Sequence, residues 1–192
     1  PPPPPSRGAI ATDRSTKDEK KTFRDSLPVL DKVMVTKMQI AAHQAIKDSN
    51  HPLSIFAHHK GLSTKTIISA ITAGLIGVLE TPYVSRPCIV WLFKDRVGNV
   101  GAKLRFDPKN SRKTIWWQGG SNDFLFGDAA VSTFDSENFN RPPIFLVEGE
   151  SDCLSMLQRG FPALGIVGAN SKPHVPVLHS YLAHRAVGIV YD

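Results

Sequence analysis

Carboxylates placed at the ends of apolar runs are the first chemistry this sequence offers. Ile144-Phe145-Leu146-Val147 is wholly apolar, and Glu148 follows at once, with Gly149, Glu150, Ser151 and Asp152 behind it. A second apolar run, Val187-Gly188-Ile189-Val190-Tyr191, ends on Asp192. If both runs are strands of one parallel sheet, Glu148 and Asp192 stand at strand carboxyl ends, where open α/β sheets form their sites. Two such groups can share a divalent cation of the Mg2+ kind, which takes hard oxygen ligands. Each acid also has a purely structural reading. Glu148 can serve the start of the next helix, whose dipole favours a carboxylate there. Asp152 reads as a cap or first-turn residue, Glu150 as solvent-exposed, and Asp192 as an ordinary strand-end acid.

Cations form the second group. Lys103, Arg105, Lys109, Arg112 and Lys113 fall within eleven residues and are interleaved with Phe106, Trp116 and Trp117. Strand side chains alternate, so Lys103 and Arg105 share one face of a strand over Val100–Phe106. Lysine and arginine grip phosphates, and aromatic faces stack on unpaired bases at ~1–3 kcal/mol each. Lys103, Arg105, Lys109 and Trp117 are therefore the candidate nucleic-acid or nucleotide contacts. The alternative is that the tryptophans pack in the core while the charges solvate turns. One of the two adjacent tryptophans must face away from the core if both lie on a strand. Charge is distributed to match the functional reading. Residues 51–120 hold 10 Lys/Arg against 3 Asp/Glu, whereas residues 121–192 hold 4 against 8. A basic middle and an acidic end suit a phosphate-gripping surface beside a metal-binding one.

The elements that must position these groups follow from periodicity. Pro1–Pro5 predicts an extended polyproline segment, and the polar stretch to residue 26 a flexible linker. Apolar residues at near-helical spacing predict a helix between Leu27 and Ser49, and a second over Leu53–Lys60 stopped at Gly61. Ser63 can cap a third through about Ala70, ended by Gly74 and Gly77. Residues 28–80 thus read as a small helical unit. Cys88–Phe93, Val100–Phe106 and Thr114–Gln118 read as an antiparallel meander, with a turn at Asp95–Asn99. Gly119–Asp123 and Ser136–Pro143 read as loops. From Ile144 the order is strand, helix (Asp152–Arg159, stopped at Gly160), strand (Ala163–Val167), helix (Val175–Arg185) and strand (Val187–Tyr191). That alternation implies a parallel sheet. The fold class is α+β, with a small helical and antiparallel β N-terminal part and an α/β C-terminal part. The boundaries are a linker over 1–26, an N-terminal subdomain over 27–143 and a C-terminal one over 144–192.

Composition excludes little but helps. The chain has 192 residues, 41% of them hydrophobic, which is enough to bury a core. No apolar run reaches the ~18 residues of a membrane span, and no secretory signal opens the chain. The two cysteines, Cys88 and Cys153, form neither a disulfide framework nor a zinc knuckle, and a reducing cytoplasm is the simpler expectation. The histidines show no ligand spacing with cysteines. The absence of an initiator Met and the stop directly after an apolar run make the chain read as a piece of a longer one.

One combination resembles a known family. Val147-Glu148-Gly149-Glu150-Ser151-Asp152 is similar to the Glu-Gly-x-x-Asp motif of Toprim domains, and Val187–Asp192 to their third strand, which ends in Asp-x-Asp. Gly160–Ser171 is similar to the family's second strand and its Gly-rich exit. Upstream, Gly98–Phe106, Phe124-Leu125-Phe126-Gly127 and His59–Ile67 resemble segments of bacterial-type and phage primases. The likeness covers residues 54–192 and is most specific over 144–152. It departs from the family in Lys65, where an acid is common, in the lack of a Cys/His zinc module, and in the missing second aspartate after Asp192. The resemblance implies a Rossmann-like Toprim sheet and the catalytic core of a DNA primase, from a phage or mobile element. Such an enzyme joins ribonucleoside triphosphates into short primers on single-stranded DNA with Mg2+ or Mn2+, beside a separate or fused replicative helicase. Glu148 would be ligand or general acid/base, Asp192 and Asp152 ligands, and Lys103 and Arg105 the phosphate grip. The other readings are a Toprim nuclease or topoisomerase fragment, and a degenerate Toprim that only binds nucleic acid or docks a helicase.

Overall fold

Cys88–Phe93 is apolar at every position, so a strand there must be covered on both faces. The computed structural model describes residues 17–94, 100–109, 114–117, 125–137, 142–166 and 175–190. Its elements in chain order are α1 (Lys17–Asp25), α2 (Lys32–Ala45), α3 (Pro52–His59), α4 (Thr64–Thr72), β1 (Ile76–Leu79), β2 (Cys88–Lys94), β3 (Val100–Arg105), β4 (Thr114–Trp116), β5 (Leu125–Phe126), α5 (Asp128–Glu137), β6 (Ile144–Val147), α6 (Glu150–Gln158), β7 (Ala163–Ile166), α7 (Val175–Leu182) and β8 (Val187–Val190). The architecture is mixed α+β with two four-stranded sheets.

The first sheet runs β1-β2-β3-β4 and is antiparallel throughout. Alternation along β2 splits its side chains between two cores. Val90 and Leu92 join Met34, Val35 and Met38 of α2, with Leu104 and Trp117. Ile89, Trp91 and Phe93 face the other way, onto Phe56 of α3, Ile67 and Ile71 of α4, and the second sheet. The helices are set by local signals. Asp31 accepts a hydrogen bond from the Met34 amide at 2.7 Å, and Ser63 one from the Thr66 amide at 3.1 Å, each an N-cap that satisfies an orphan donor. Gly74, at φ +77°, follows α4 in the left-handed conformation glycine allows.

The second sheet runs β5-β7-β6-β8. Its strands β7, β6 and β8 are parallel, as the alternation of strands and helices implies, and β5 adds an antiparallel edge. Val147 and Cys153 of α6 face the first sheet. Ile144, Leu146 and Leu164 face the opposite way, onto Val131 of α5 and Leu178 of α7. Aromatic side chains knit the sheets together: Trp91 meets Phe56 at 5.2 Å and Phe126 at 5.7 Å, and Phe93 meets Phe126 at 5.6 Å. Each such pair adds about 0.5–1.5 kcal/mol beyond the area it buries.

Several expectations are corrected. Residues 76–79 do not belong to a helical unit; they form β1, fully buried and paired with Cys88–Trp91. Gly77 does not stop a helix. It clears space for one, because a Cβ there would lie 2.8 Å from Met38 Cβ of α2. Part of the expected linker is helical, and Phe23 of α1 packs edge-on against Phe106 at 5.8 Å. Helix α5 lies in a stretch with no expected element up to Ser136, and its Asp135 takes both guanidinium nitrogens of Arg185, at 2.6 and 3.3 Å. The second sheet draws its first strand from Leu125–Phe126, which pairs antiparallel with β7. Helix α7 ends at Leu182, short of Arg185, with His184 at φ +61°. Pro1–Pro5 and the turn at Asp95–Asn99 lie outside the described residues. Among the described residues no helix is long and apolar enough to cross a membrane.

Candidate active site

Strand β6 is central among the parallel strands, and its connections diverge: the chain passes through α6 to β7 on one side, then through α7 to β8 on the other. The crevice at the carboxyl ends of β6 and β8 is where such sheets bind ligands. Val147, the last residue of β6, pairs with Gly165 and Val190, and Glu148 stands directly beyond it. Glu148 is half-buried, and its side chain takes no hydrogen bond or ion pair among the described residues. Gly149 is the N-cap of α6 and its carbonyl receives the Cys153 amide at 3.1 Å. The turn is tight against β7: a Cβ on Gly165 would lie 3.1 Å from the Gly149 oxygen.

The first turn of α6 carries Glu150 and Asp152, where the helix dipole favours negative charge. Asp152 is half-buried, as a first-turn residue should be, with Ser151 Oγ 3.5 Å from its Oδ1. Glu150 departs from expectation. It is only 8% exposed and accepts a hydrogen bond from Lys103 Nζ at 2.9 Å. This ion pair bridges β3 of the first sheet and α6 of the second. Sequence reading left Glu150 in solvent because its partner is 47 positions away. The available signal was indirect, since two cations on one buried strand face need a counter-charge.

The other candidates separate. Arg105 is 3% exposed; its Nε and Nη2 donate to the carbonyls of Asp107 and Pro108 at 3.0 and 3.1 Å, and its guanidinium lies 4.9 Å over the Phe56 ring. Burial lowers its pKa, and the carboxylates of Glu150 and Asp107 oppose that shift. Arg105 therefore braces the turn after β3 from inside. Trp117 is fully buried and donates its indole N–H to the Pro28 carbonyl at 3.0 Å. Trp116 is half-buried against Phe93 at 5.2 Å. Lys109 is exposed on the turn, its backbone N–H bonded to Asp107 Oδ1 at 2.9 Å. Asp192 lies outside the described residues.

Glu148, Asp152 and the Lys103–Glu150 pair are thus brought together around one turn. Among the described residues no group of three or more His, Cys, Asp or Glu could hold a metal ion. Glu148 and Asp152 supply hard oxygen donors and fit part of a Mg2+ coordination shell. Cys153 beneath them is fully buried, and that burial pushes its thiol pKa far up, although a backbone hydrogen bond at Gly165 works against the shift. A separate cleft of about 480 Å³ between α4, α5 and α6, floored by Leu75, Leu154 and Leu157, opens at the other end of α6 and holds none of these groups.

No family model matches the sequence, and no curated protein matches it. Solved structures do. The zinc-binding and RNA polymerase domains of the Aquifex aeolicus primase align over 94% of this chain and 49% of that one, with TM-score 0.54 and 18% identity. The RNA polymerase domain of the Mycobacterium tuberculosis primase aligns over 92% and 66%, at 0.54 and 13%. The same domain in complex with double-stranded DNA aligns over 89% and 63%, at 0.54 and 15%. The fold resembles that of primase RNA polymerase domains. The likeness is one of fold, and the chain spans about half the length of the Aquifex protein.

Proposed function

We propose that this chain carries the catalytic face of a Toprim-type primase and joins ribonucleotides on a single-stranded DNA template. The observation that carries the reading is Glu148, without a side-chain partner among the described residues, at the carboxyl end of the central parallel strand and two positions before Glu150, which holds Lys103. The fold likeness to primase RNA polymerase domains supports it.

In this reading residues 144–192 belong to a Rossmann-like Toprim domain and residues 27–143 to the part of the core that faces it. Glu148 and Asp152, with Asp192, would hold Mg2+ or Mn2+, which would supply charge stabilisation at the reacting phosphate. Glu148 would hold or pass the proton of the attacking 3′-hydroxyl. Lys103 takes the nucleotide's phosphates, and Lys109 the backbone of the template. Arg105 and Trp117 keep the first sheet in shape. A replicative helicase, separate or fused, would deliver the template.

The test supplies single-stranded DNA, Mg2+ and labelled ribonucleotides to the full-length protein. Short oligoribonucleotides should appear, and Glu148→Gln should lower their yield by at least about 100-fold, the scale of a lost acid/base group. Metal-dependent cutting of the DNA without synthesis would replace this reading with a nuclease. Binding without either reaction would leave a degenerate Toprim that docks nucleic acid or helicase.

A further inference from the structure

We infer that Glu150 is a positioning residue, which holds the Lys103 ammonium toward the turn that bears Glu148. This rests on the nucleotidyl-transfer reading and assigns a role to a residue that reading does not use. Lysine is a poor phosphate grip when left loose, because its four-carbon stem explores many rotamers that binding must freeze. Here the stem is already fixed. Lys103 lies on β3 between Trp91 of β2 and Trp116 of β4, which pair with it on either side. Its side chain is 16% exposed, and its Nζ meets Glu150 Oε1 at 2.9 Å. Glu150 is fixed in turn, 11% exposed in the first turn of α6, where the helix dipole stabilises its charge. Only Gly149 separates it from Glu148 in the chain, so their Cα atoms lie at most about 7 Å apart.

The pairing holds the cation without consuming it. An ammonium has three N–H donors, and the contact to Glu150 is the only one Lys103 makes among the described residues. The remaining donors can meet phosphate oxygens once the side chain is in place. Glu150 also lies close enough to Arg105 to raise that group's pKa against the lowering by burial. Pre-fixing a side chain before the ligand arrives raises affinity by removing an ordering cost.

The experiment measures equilibrium binding of a fluorescent ribonucleoside triphosphate with Mg2+ to the full-length protein. The variants are Lys103→Met, Glu150→Ala, Glu150→Gln and the double variant Lys103→Met/Glu150→Ala, with thermal melts in parallel. Lys103→Met should weaken binding about tenfold, as expected for one charge-assisted contact. Glu150→Ala should weaken it about fivefold although it removes a negative charge, and should add nothing in the Lys103→Met background, since coupled residues are non-additive. Glu150→Gln, which keeps the shape and the acceptor oxygen, should recover most of the affinity and guards against simple misfolding of the alanine variant. Tighter binding by Glu150→Ala, or additive losses in the double variant, overturns the inference and leaves the parent reading intact. Wild-type protein that does not bind the nucleotide sinks both.

Discussion

Gly127 ends the Phe124-Leu125-Phe126-Gly127 segment and starts α5, its carbonyl accepting the Val131 amide at 3.0 Å. Its φ of +94° lies where only glycine is at ease, and a Cβ there would stand 2.6 Å from both the Ala163 carbonyl oxygen and Cys153 Sγ. Gly127→Ala meets two separate costs. The backbone conformation costs about 1–3 kcal/mol for a residue with a Cβ, and forcing a methyl into a filled site costs about 1–3 kcal/mol more. The sum, ~2–6 kcal/mol, is a large share of the ~5–15 kcal/mol that stabilises a domain. The two contacts differ in kind. Ala163 O belongs to β7 and cannot retreat without breaking the sheet, whereas the thiol can be removed. Adding Cys153→Ala, which alone should cost about 1 kcal/mol for its lost contacts, should therefore return about 0.5–1.5 kcal/mol of the Gly127→Ala loss as coupling. Urea unfolding followed by far-ultraviolet circular dichroism measures all four proteins. A Gly127→Ala midpoint equal to wild type, or a strictly additive double variant, would refute the packing argument for this joint.

Two further predictions concern titrating groups. Burial pushes the Cys88 thiol up to about 12 and the Cys153 thiol further still, so at pH 8 the native protein should resist iodoacetamide and accept two labels only in denaturant; fast labelling of folded protein contradicts the burial. His51 is the N-cap of α3 through its unprotonated Nδ1, which accepts the Leu53 amide at 3.1 Å, and burial lowers its pKa despite Glu80 Oε1 at 4.0 Å from Nε2. The unfolded chain therefore takes up the proton first, and stability should fall as pH drops through the ordinary histidine range near ~6.5, by about 1 kcal/mol for the lost cap. His51→Asn, which caps without titrating, should flatten that dependence, and an unchanged slope would assign it to other groups.

What sequence made legible was local. The cap at Ser63, the apolar run of β2 and the Val147-Glu148-Gly149 strand-to-turn all declare themselves within a few residues, and all stand in the structure. The misreadings were decided by distant partners. Ile76–Leu79 continues the apolar pattern of α4, and only its pairing with Cys88–Trp91 makes it a strand. Helix α1 is polar and short, and its contact to the fold is Phe23 against Phe106. Trp116 and Trp117 do alternate, yet both faces of the first sheet are covered, so neither is left as a free stacking platform. Lys103 and Arg105 do share a face, but Lys103 pairs with Glu150, while Arg105 donates to the carbonyls of two turn residues, Asp107 and Pro108.

The charge asymmetry of the sequence becomes a geometric fact at that joint. The basic segment 51–120 supplies the first sheet and the acidic segment 121–192 the second, and they meet where β3 faces the start of α6. The aromatic contacts of Phe56, Trp91, Phe93 and Phe126 close the same interface from below. A cation on one sheet and an acid on the other can keep a fixed relation only if the sheets do. The interior of this joint is therefore part of the candidate site's geometry. Glu150 is the residue at which the two arguments coincide, because it is buried by the joint and charged toward the site.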